Sequence, residues 1–173
     1  KPLSPYALHK ITIEHYVRLY AEHFGFPGVA IRPFNVFGAR QSPRSAYAAV
    51  IPKFIALARA GKDLTLFGDG LQTRDFTHVD NVVELFLRAA LHAREFKGQA
   101  FNSGAGQKQT VRDLANLIIR RTGSRSKVVL APTRAGDVRE SLASLEKSEA
   151  LLGYSSLVHF EDGLTRLIAE SKP

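Results

Sequence analysis

Apolar positions in the first 24 residues recur at helical spacing along two stripes. Tyr6, Lys10, Ile13, Val17, Tyr20 and Phe24 advance by steps of four and three. Leu8, Thr12, Tyr16 and Leu19 form a second, largely apolar stripe. The spacing predicts one helix over 3–24, capped by Ser4, with Pro5 in its first turn and "GFPG" at its end. A helix with two apolar faces packs on two sides, and one side is expected to meet a partner subunit.

Beyond it, short apolar runs alternate with amphipathic ones. "VAIRPF" at 29–34 reads as a buried strand, followed by the polar loop "GARQSPRS". "VIPKFIALARAG" reads as a helix with Pro52 in its first turn and Gly61 at its end. "LTLFG" and "RDFTHV" read as short strands around the turn "GDG". Asp80 is placed to cap the helix "NVVELFLRAALHA", and "QAFNSG" returns to strand. Thr110 with Asp113 resembles a capping box opening "VRDLANLIIRRTG". "KVVLAP" is a strand, and short helices near 145–152 and 160–170 close the chain. Strands alternating with helices argue an α/β fold.

Composition narrows the class. At 173 residues the chain can bury a core as one domain or two small lobes. No apolar run approaches the ~20 residues of a membrane helix and no signal-peptide pattern appears, so no membrane association is expected. Cysteine is absent, which excludes disulfides and thiolate metal sites, and a cytoplasmic setting is expected. Methionine is absent too, even at position 1, so the chain reads as a piece of a longer protein. The net charge of +8 sits mainly in residues 1–60, with eight Lys or Arg against two acids. No basic run or nucleic-acid motif accompanies it, so nucleic acid is not expected. An anionic small ligand or a solvated basic surface accounts for the charge.

Candidate chemistry begins at "SPYALHK", where Tyr6 and Lys10 share one helix face. A free phenol titrates near ~10, too high for a base at neutral pH, and a neighbouring ammonium lowers that value. Such a tyrosine can exchange a proton with an alcohol while a cofactor takes the hydride. Alone, the spacing also fits any amphipathic helix. The order of the remaining motifs says more: "SPY", "RPFNVFG", "FGDG…RDFTHVDN", "FNSG" and "RAGDVRESLAS". This series closely resembles the extended short-chain dehydrogenase/reductase family from residue 2 to about 165. Within it, the chain looks most like the nucleotide-sugar 4-epimerases. "FNVFGARQSPRSAYAAVIPKF" is especially like those acting on UDP-N-acetylhexosamines.

The resemblance implies an α/β chain that supplies the end of an NAD-binding Rossmann domain plus the smaller substrate-binding lobe. Residues 1–35 would be the last helix and strand of the Rossmann domain. Residues 36–173 would be mainly the lobe, with 75–104 returning to the Rossmann domain. The family's glycine-rich turn, which holds the NAD pyrophosphate, has no match here: Gly68, Gly70, Gly104 and Gly106 do not open a helix after a strand.

Site roles follow by matching position. Tyr6 would be the general base and acid. Lys10 would lower its pKa and bond the nicotinamide ribose. Pro33 and Phe34 would lie beside nicotinamide and sugar, and Asn35 would bond the sugar nucleotide near its diphosphate, though a turn residue after a strand is its plain reading. Arg74 and Arg134 would clamp the diphosphate, a role suited to the guanidinium fork. Asp137 would orient Arg134 or contact the ribose. Ala49 and Val50 before the helix, with Leu66 and Phe67 on the strand, would build the uridine pocket; Phe67 could equally be core. Arg40, Gln41 and Tyr47 would line the sugar pocket or stand in a surface loop. His78 and Asp80 read as strand and cap rather than metal ligands, and no metal site is expected.

The expected reaction is C4 inversion of a UDP-sugar with NAD, through a 4-keto sugar, by a homodimer. UDP-glucuronate decarboxylation shares most of these motifs. A 4,6-dehydratase would carry acid/base carboxylates just before the tyrosine, where "KPLSP" has none. A module that only binds sugar nucleotides or dimerises is the reading from another class. Without the phosphate cradle, the 173 residues alone are expected to be inactive.

Overall fold

The computed structural model describes residues 2, 4–42, 49–134 and 136–171. Helix α1 runs Pro5–Phe24. Ser4 caps it by accepting from the Ala7 N–H at 3.1 Å, and Gly25 ends it in the left-handed conformation. Only Ala21 of α1 is buried. Tyr6, Leu8, Ile13, Tyr16, Leu19, Tyr20 and Phe24 are all exposed, so both apolar stripes lie open on this chain.

Strand β1 (Ala30–Pro33) pairs in parallel with β6 (Ala100–Ser103), and β2 (Asn35–Phe37) with β5 (Phe76–His78). Strand β3 (Leu64–Phe67) pairs in parallel with β8 (Val128–Ala131). The short strands β4 (Thr73–Arg74) and β7 (Gln109–Thr110) pair antiparallel. Helices α2 (Val50–Arg59), α3 (Val79–Leu91), α4 (Val111–Thr122), α5 (Glu146–Leu152) and α6 (Phe160–Glu170) cover these ladders.

Two cores result. The larger joins Phe37, Ile51, Phe54, Leu64, Leu66, Leu114, Ile118, Phe160 and Leu164 from α2, α4, α6 and the strands between them. Phe160 stacks on Phe76 and meets Phe37 edge-on. The smaller joins Leu85, Ala89, Phe101, Leu152 and Tyr154. Asn81 ties α3 to the segment before α6. Its buried amide donates to the Val158 carbonyl and Ser156 hydroxyl and accepts from the Leu157 and Val158 N–H groups. Such full pairing is what lets an amide sit in a core.

Two expected details differ. The residue capping α3 is His78, not Asp80: its Nδ1 accepts from the Asp80 N–H at 3.3 Å. Strand β5 runs straight into the helix, so its last residue is the extended cap and Asp80 falls in the first turn. There its charge favours the positive end of the helix dipole. Likewise Ala49 alone precedes α2, and Val50 is its first helical residue.

Candidate active site

Tyr6 and Lys10 occupy successive turns at the start of α1. The Lys10 ammonium stands 5.4 Å from the centre of the Tyr6 ring. Both side chains are exposed, so the phenol is open to a ligand. What positions this helix is largely one ion pair. Arg32 on β1 grips Glu14 with both ends of its fork, Nε to Oε1 at 2.7 Å and Nη2 to Oε2. The bond from Arg32 holds the Glu14 carboxyl below its ordinary range. A second anchor is Gly98, whose φ of +79° and bare Cα let the loop pass against Arg18; a Cβ there would lie 2.4 Å from the Arg18 Cα.

From the end of β1 the chain turns through Pro33, Phe34 and Asn35. The Phe34 N–H donates to the Ser103 carbonyl at 2.8 Å, and the Asn35 N–H to the Asp75 carbonyl at 3.0 Å. These bonds set Asn35 opposite Phe76 at the start of β5, two residues beyond Arg74.

Phe67, Arg74, Arg134 and Asp137 come together around a second centre. A cavity of about 450 Å³ is lined by Phe67, Gly68, Gln72, Thr133, Asp137 and Arg139, among others. The Arg134 guanidinium lies over the Phe67 ring, 3.6 Å from its centre. Arg74 donates from Nη1 to the Thr73 and Val138 carbonyls at 2.8 and 2.6 Å, and from Nη2 to Asp137 at 2.5 Å. A guanidinium has five N–H donors, so some remain for a ligand.

Asp137 therefore orients Arg74, and its expected pairing with Arg134 is corrected. The Asp137 N–H donates back to the Arg134 carbonyl, a turn that sends the carboxylate toward β4 and leaves the Arg134 side chain on Phe67. The Leu66 side chain is 1% exposed and belongs to the larger core, which leaves its main-chain groups for the expected contact with the base. Ala49 and Val50 do not line the cavity, and Val50 packs against that same core. Arg40 and Gln41 line a separate hollow between α2 and α6, of about 240 Å³. Tyr47 lies outside the described residues.

Sequence reasoning passed over several members of this site. Buried Gln72 donates to the Phe67 carbonyl at 3.0 Å and to Asp137 at 3.3 Å, bracing both walls. Asp69 of the "GDG" turn accepts from Arg139 at 2.7 Å and from the Leu71 N–H at 2.9 Å. The bond from Arg139 brings its pKa down to about 2. "GDG" and "RDF" marked both places, yet the partners lie in a distant segment that no local pattern reveals. Among the described residues, no group of three or more His, Asp or Glu is placed to hold a metal.

For NAD, the residues present fit one end only. An exposed phenol and ammonium on one helix face suit a ribose and a reacting hydroxyl. Among the described residues no glycine turn leads from a strand into a helix: Gly25, Gly123 and Gly153 end helices instead.

Comparison with known proteins gives the family and fold. The model of the NAD dependent epimerase/dehydratase family matches residues 1–104. A UDP-glucose 4-epimerase of Mycolicibacterium smegmatis is 34% identical over 167 residues, 96% of this chain and 52% of the relative. The crystal structure of UDP-glucose 4-epimerase from Thermotoga maritima with UDP-glucose superposes with a TM-score of 0.90 at 33% identity, over 98% of this chain and 53% of that one. A UDP-N-acetylglucosamine 4-epimerase from Methanobrevibacter ruminantium, in complex with UDP-N-acetylmuramic acid, does so at 0.90 and 33%, over 98% and 54%. The chain spans about half the length of the relatives it matches.

Proposed function

The chain belongs to the NAD-dependent epimerase/dehydratase family, and from that premise we propose that the whole protein inverts C4 of a UDP-hexose or UDP-N-acetylhexosamine. The observation that carries the nucleotide reading is a cavity walled by Phe67 and Asp137, with the Arg134 guanidinium lying over the Phe67 ring, Arg74 bonded to Asp137 and Gln72 bracing both walls. Two guanidinium groups beside an aromatic face match a diphosphate attached to a flat base. Asp137 can also accept from a ribose hydroxyl with the oxygen not turned to Arg74.

In this reading Tyr6 takes the C4 hydroxyl proton and later returns it. Lys10 stabilises the phenolate and bonds the nicotinamide ribose. NAD supplies the hydride acceptor and donor. Pro33 and Phe34 wall the reacting ring, and Asn35 bonds the sugar nucleotide without adding charge. Inversion requires the 4-keto sugar to turn while its diphosphate stays anchored. Separate places for anchor and proton relay serve that need. The sugar itself, plain or acetylated, and the alternative of a UDP-glucuronate decarboxylase or dehydratase are decided by product analysis. Incubating the whole protein with NAD and each UDP-sugar, followed by NMR of the anomeric region, tests the reading; unaltered sugar with UDP binding retained would leave only a binding module.

The open stripes of α1 support a homodimer, with one stripe on its mate and the other on the Rossmann core. Light scattering checks this: Leu19→Glu should halve the mass. No helix among the described residues is long and apolar enough to cross a membrane, and the absence of cysteine fits the cytoplasm as the place of action.

A further inference from the structure

Asp75 follows Arg74, and none of it is exposed. Its carboxylate accepts three backbone N–H groups: Ala105 on Oδ1 at 2.8 Å, and Gly106 and Ala143 on Oδ2 at 3.1 Å each. Its carbonyl accepts the Asn35 N–H at 3.0 Å. Bonds thus converge from the start of β2, from the turn between β6 and β7, and from the arm over 132–145. That arm carries Arg134 and Asp137, and its described residues form no helix or strand. The close approach depends on Gly104, where a Cβ would come 2.7 Å from Asp75 Oδ2 and 2.5 Å from the Ala143 Cβ.

Burying a carboxylate is costly unless its oxygens are paired. Here every donor that pairs it belongs to a backbone segment flanking the nucleotide site. The arm's other ties are Asn102 Nδ2 to the Ser144 carbonyl at 3.0 Å, the Thr73 N–H to the Arg139 carbonyl at 2.9 Å, Arg139 to Asp69, Lys108 to Glu140, Gln72 to Asp137, and Arg74 to Asp137 and the Val138 carbonyl; Asp75 lies deeper than Gln72, the most buried of these partners. A loop without secondary structure takes its position from its deepest anchor.

We infer that Asp75 is a positioning residue for diphosphate recognition, holding the arm so that Arg134 and Asp137 meet Phe67 and Arg74. This rests on the UDP-sugar reading of the site. The base-binding wall at Phe67 stands on β3, which Asp75 does not touch, so the inference separates two ligands. UDP needs the arm; uridine, lacking the diphosphate, needs it far less.

Calorimetric titration of the whole protein and its Asp75→Asn variant with UDP and with uridine tests this, with near-ultraviolet circular dichroism confirming the fold. The variant is expected to bind UDP about tenfold more weakly, the size of one charged hydrogen bond lost, and uridine as before. Unchanged UDP affinity, or an equal fall for both ligands, would overturn the inference while sparing the nucleotide reading. A wild-type protein that does not prefer UDP to uridine would overturn that reading and the inference with it. If Asp75→Asn does not fold, Gly104→Ala decides, since a methyl there would crowd Asp75 Oδ2 and the Ala143 Cβ and loosen that anchor with the carboxylate kept. A selective loss for UDP of about threefold is expected there, and no selective loss would overturn the inference.

Discussion

The guanidinium of Arg134 rests on the ring of Phe67, 3.6 Å from its centre, although the two residues belong to different strand–loop units. The contact fixes a flexible cation at the rim of the cavity. Phe67→Leu keeps the bulk but removes the π face, and should weaken UDP binding about two- to fivefold, the range of a partly exposed cation–π contact. Calorimetry with UDP measures it.

Arg74 is expected to matter more, because it is only 16% exposed and already aligned by Asp137. Arg74→Ala should cost about 1.5–3 kcal/mol of UDP binding, the range for hydrogen bonds to charged groups. Asp137→Ala should recover part of the stability lost in Arg74→Ala, since it removes a carboxylate left without its cation. A double-mutant cycle on thermal unfolding shows whether the two are coupled.

Tyr6→Phe in the whole protein should abolish sugar interconversion and leave UDP affinity unchanged, because the phenol stands on α1, apart from the cavity. Its exposure also predicts an unchanged melting temperature. Turnover at the wild-type rate would remove Tyr6 from the chemistry.

The Asp69 carboxyl, held by Arg139, should titrate at about 2 instead of the ordinary 3.8. A lowered value means that the pair stabilises the fold above the unfolded pKa, and that this contribution fades as pH falls through about 2. Carbon-13 NMR of the carboxyl reads the titration directly, and Arg139→Gln should return it toward the ordinary value.

Tyr154 has the opposite sign. Burial raises its phenol above 10, against the lowering pull of the Ser103 and Thr77 hydroxyls. The neutral form is the one that fits, so its contribution is full below pH 10 and is lost as pH rises through the folded value. Tyr154→Phe removes the 2.7 Å bond to the Gly104 carbonyl and should cost about 1 kcal/mol at neutral pH. It should also flatten the alkaline limb of the stability curve.

What the sequence makes legible is what closes over a few residues. Ser4, Pro5 and Gly25 announce α1 because a cap bonds within one turn, and the Thr110–Asp113 bond at 3.0 Å is equally local. His78 was hidden because a cap read from composition favours the aspartate two places on, whereas the end of β5 sets the true boundary. Asp75 and Asp137 were legible as motif letters but not as partners. The donors to Asp75 lie 30, 31 and 68 residues away, and Asp137 lies 63 from Arg74. The pairing of β4 with β7 and of β3 with β8 brings them within reach. Leu66 and Phe67 are neighbours with opposite fates, one in the core and one at the cavity. Strand alternation fixes that they differ, and the partner strand decides which is which.

Gly98 shows how far such placement extends. It touches α1 at Arg18, twelve residues from Tyr6, which is about 18 Å along a helix rising ~1.5 Å per residue. Because α1 is one unbroken helix, it acts as a lever with its fulcrum near the Glu14–Arg32 pair. A methyl group added at Gly98 would push on the short arm, and the phenol at the other end would swing. In the proposed reading, the aim of the Tyr6 phenol would therefore be set partly from the far end of the helix, by a residue with no side chain.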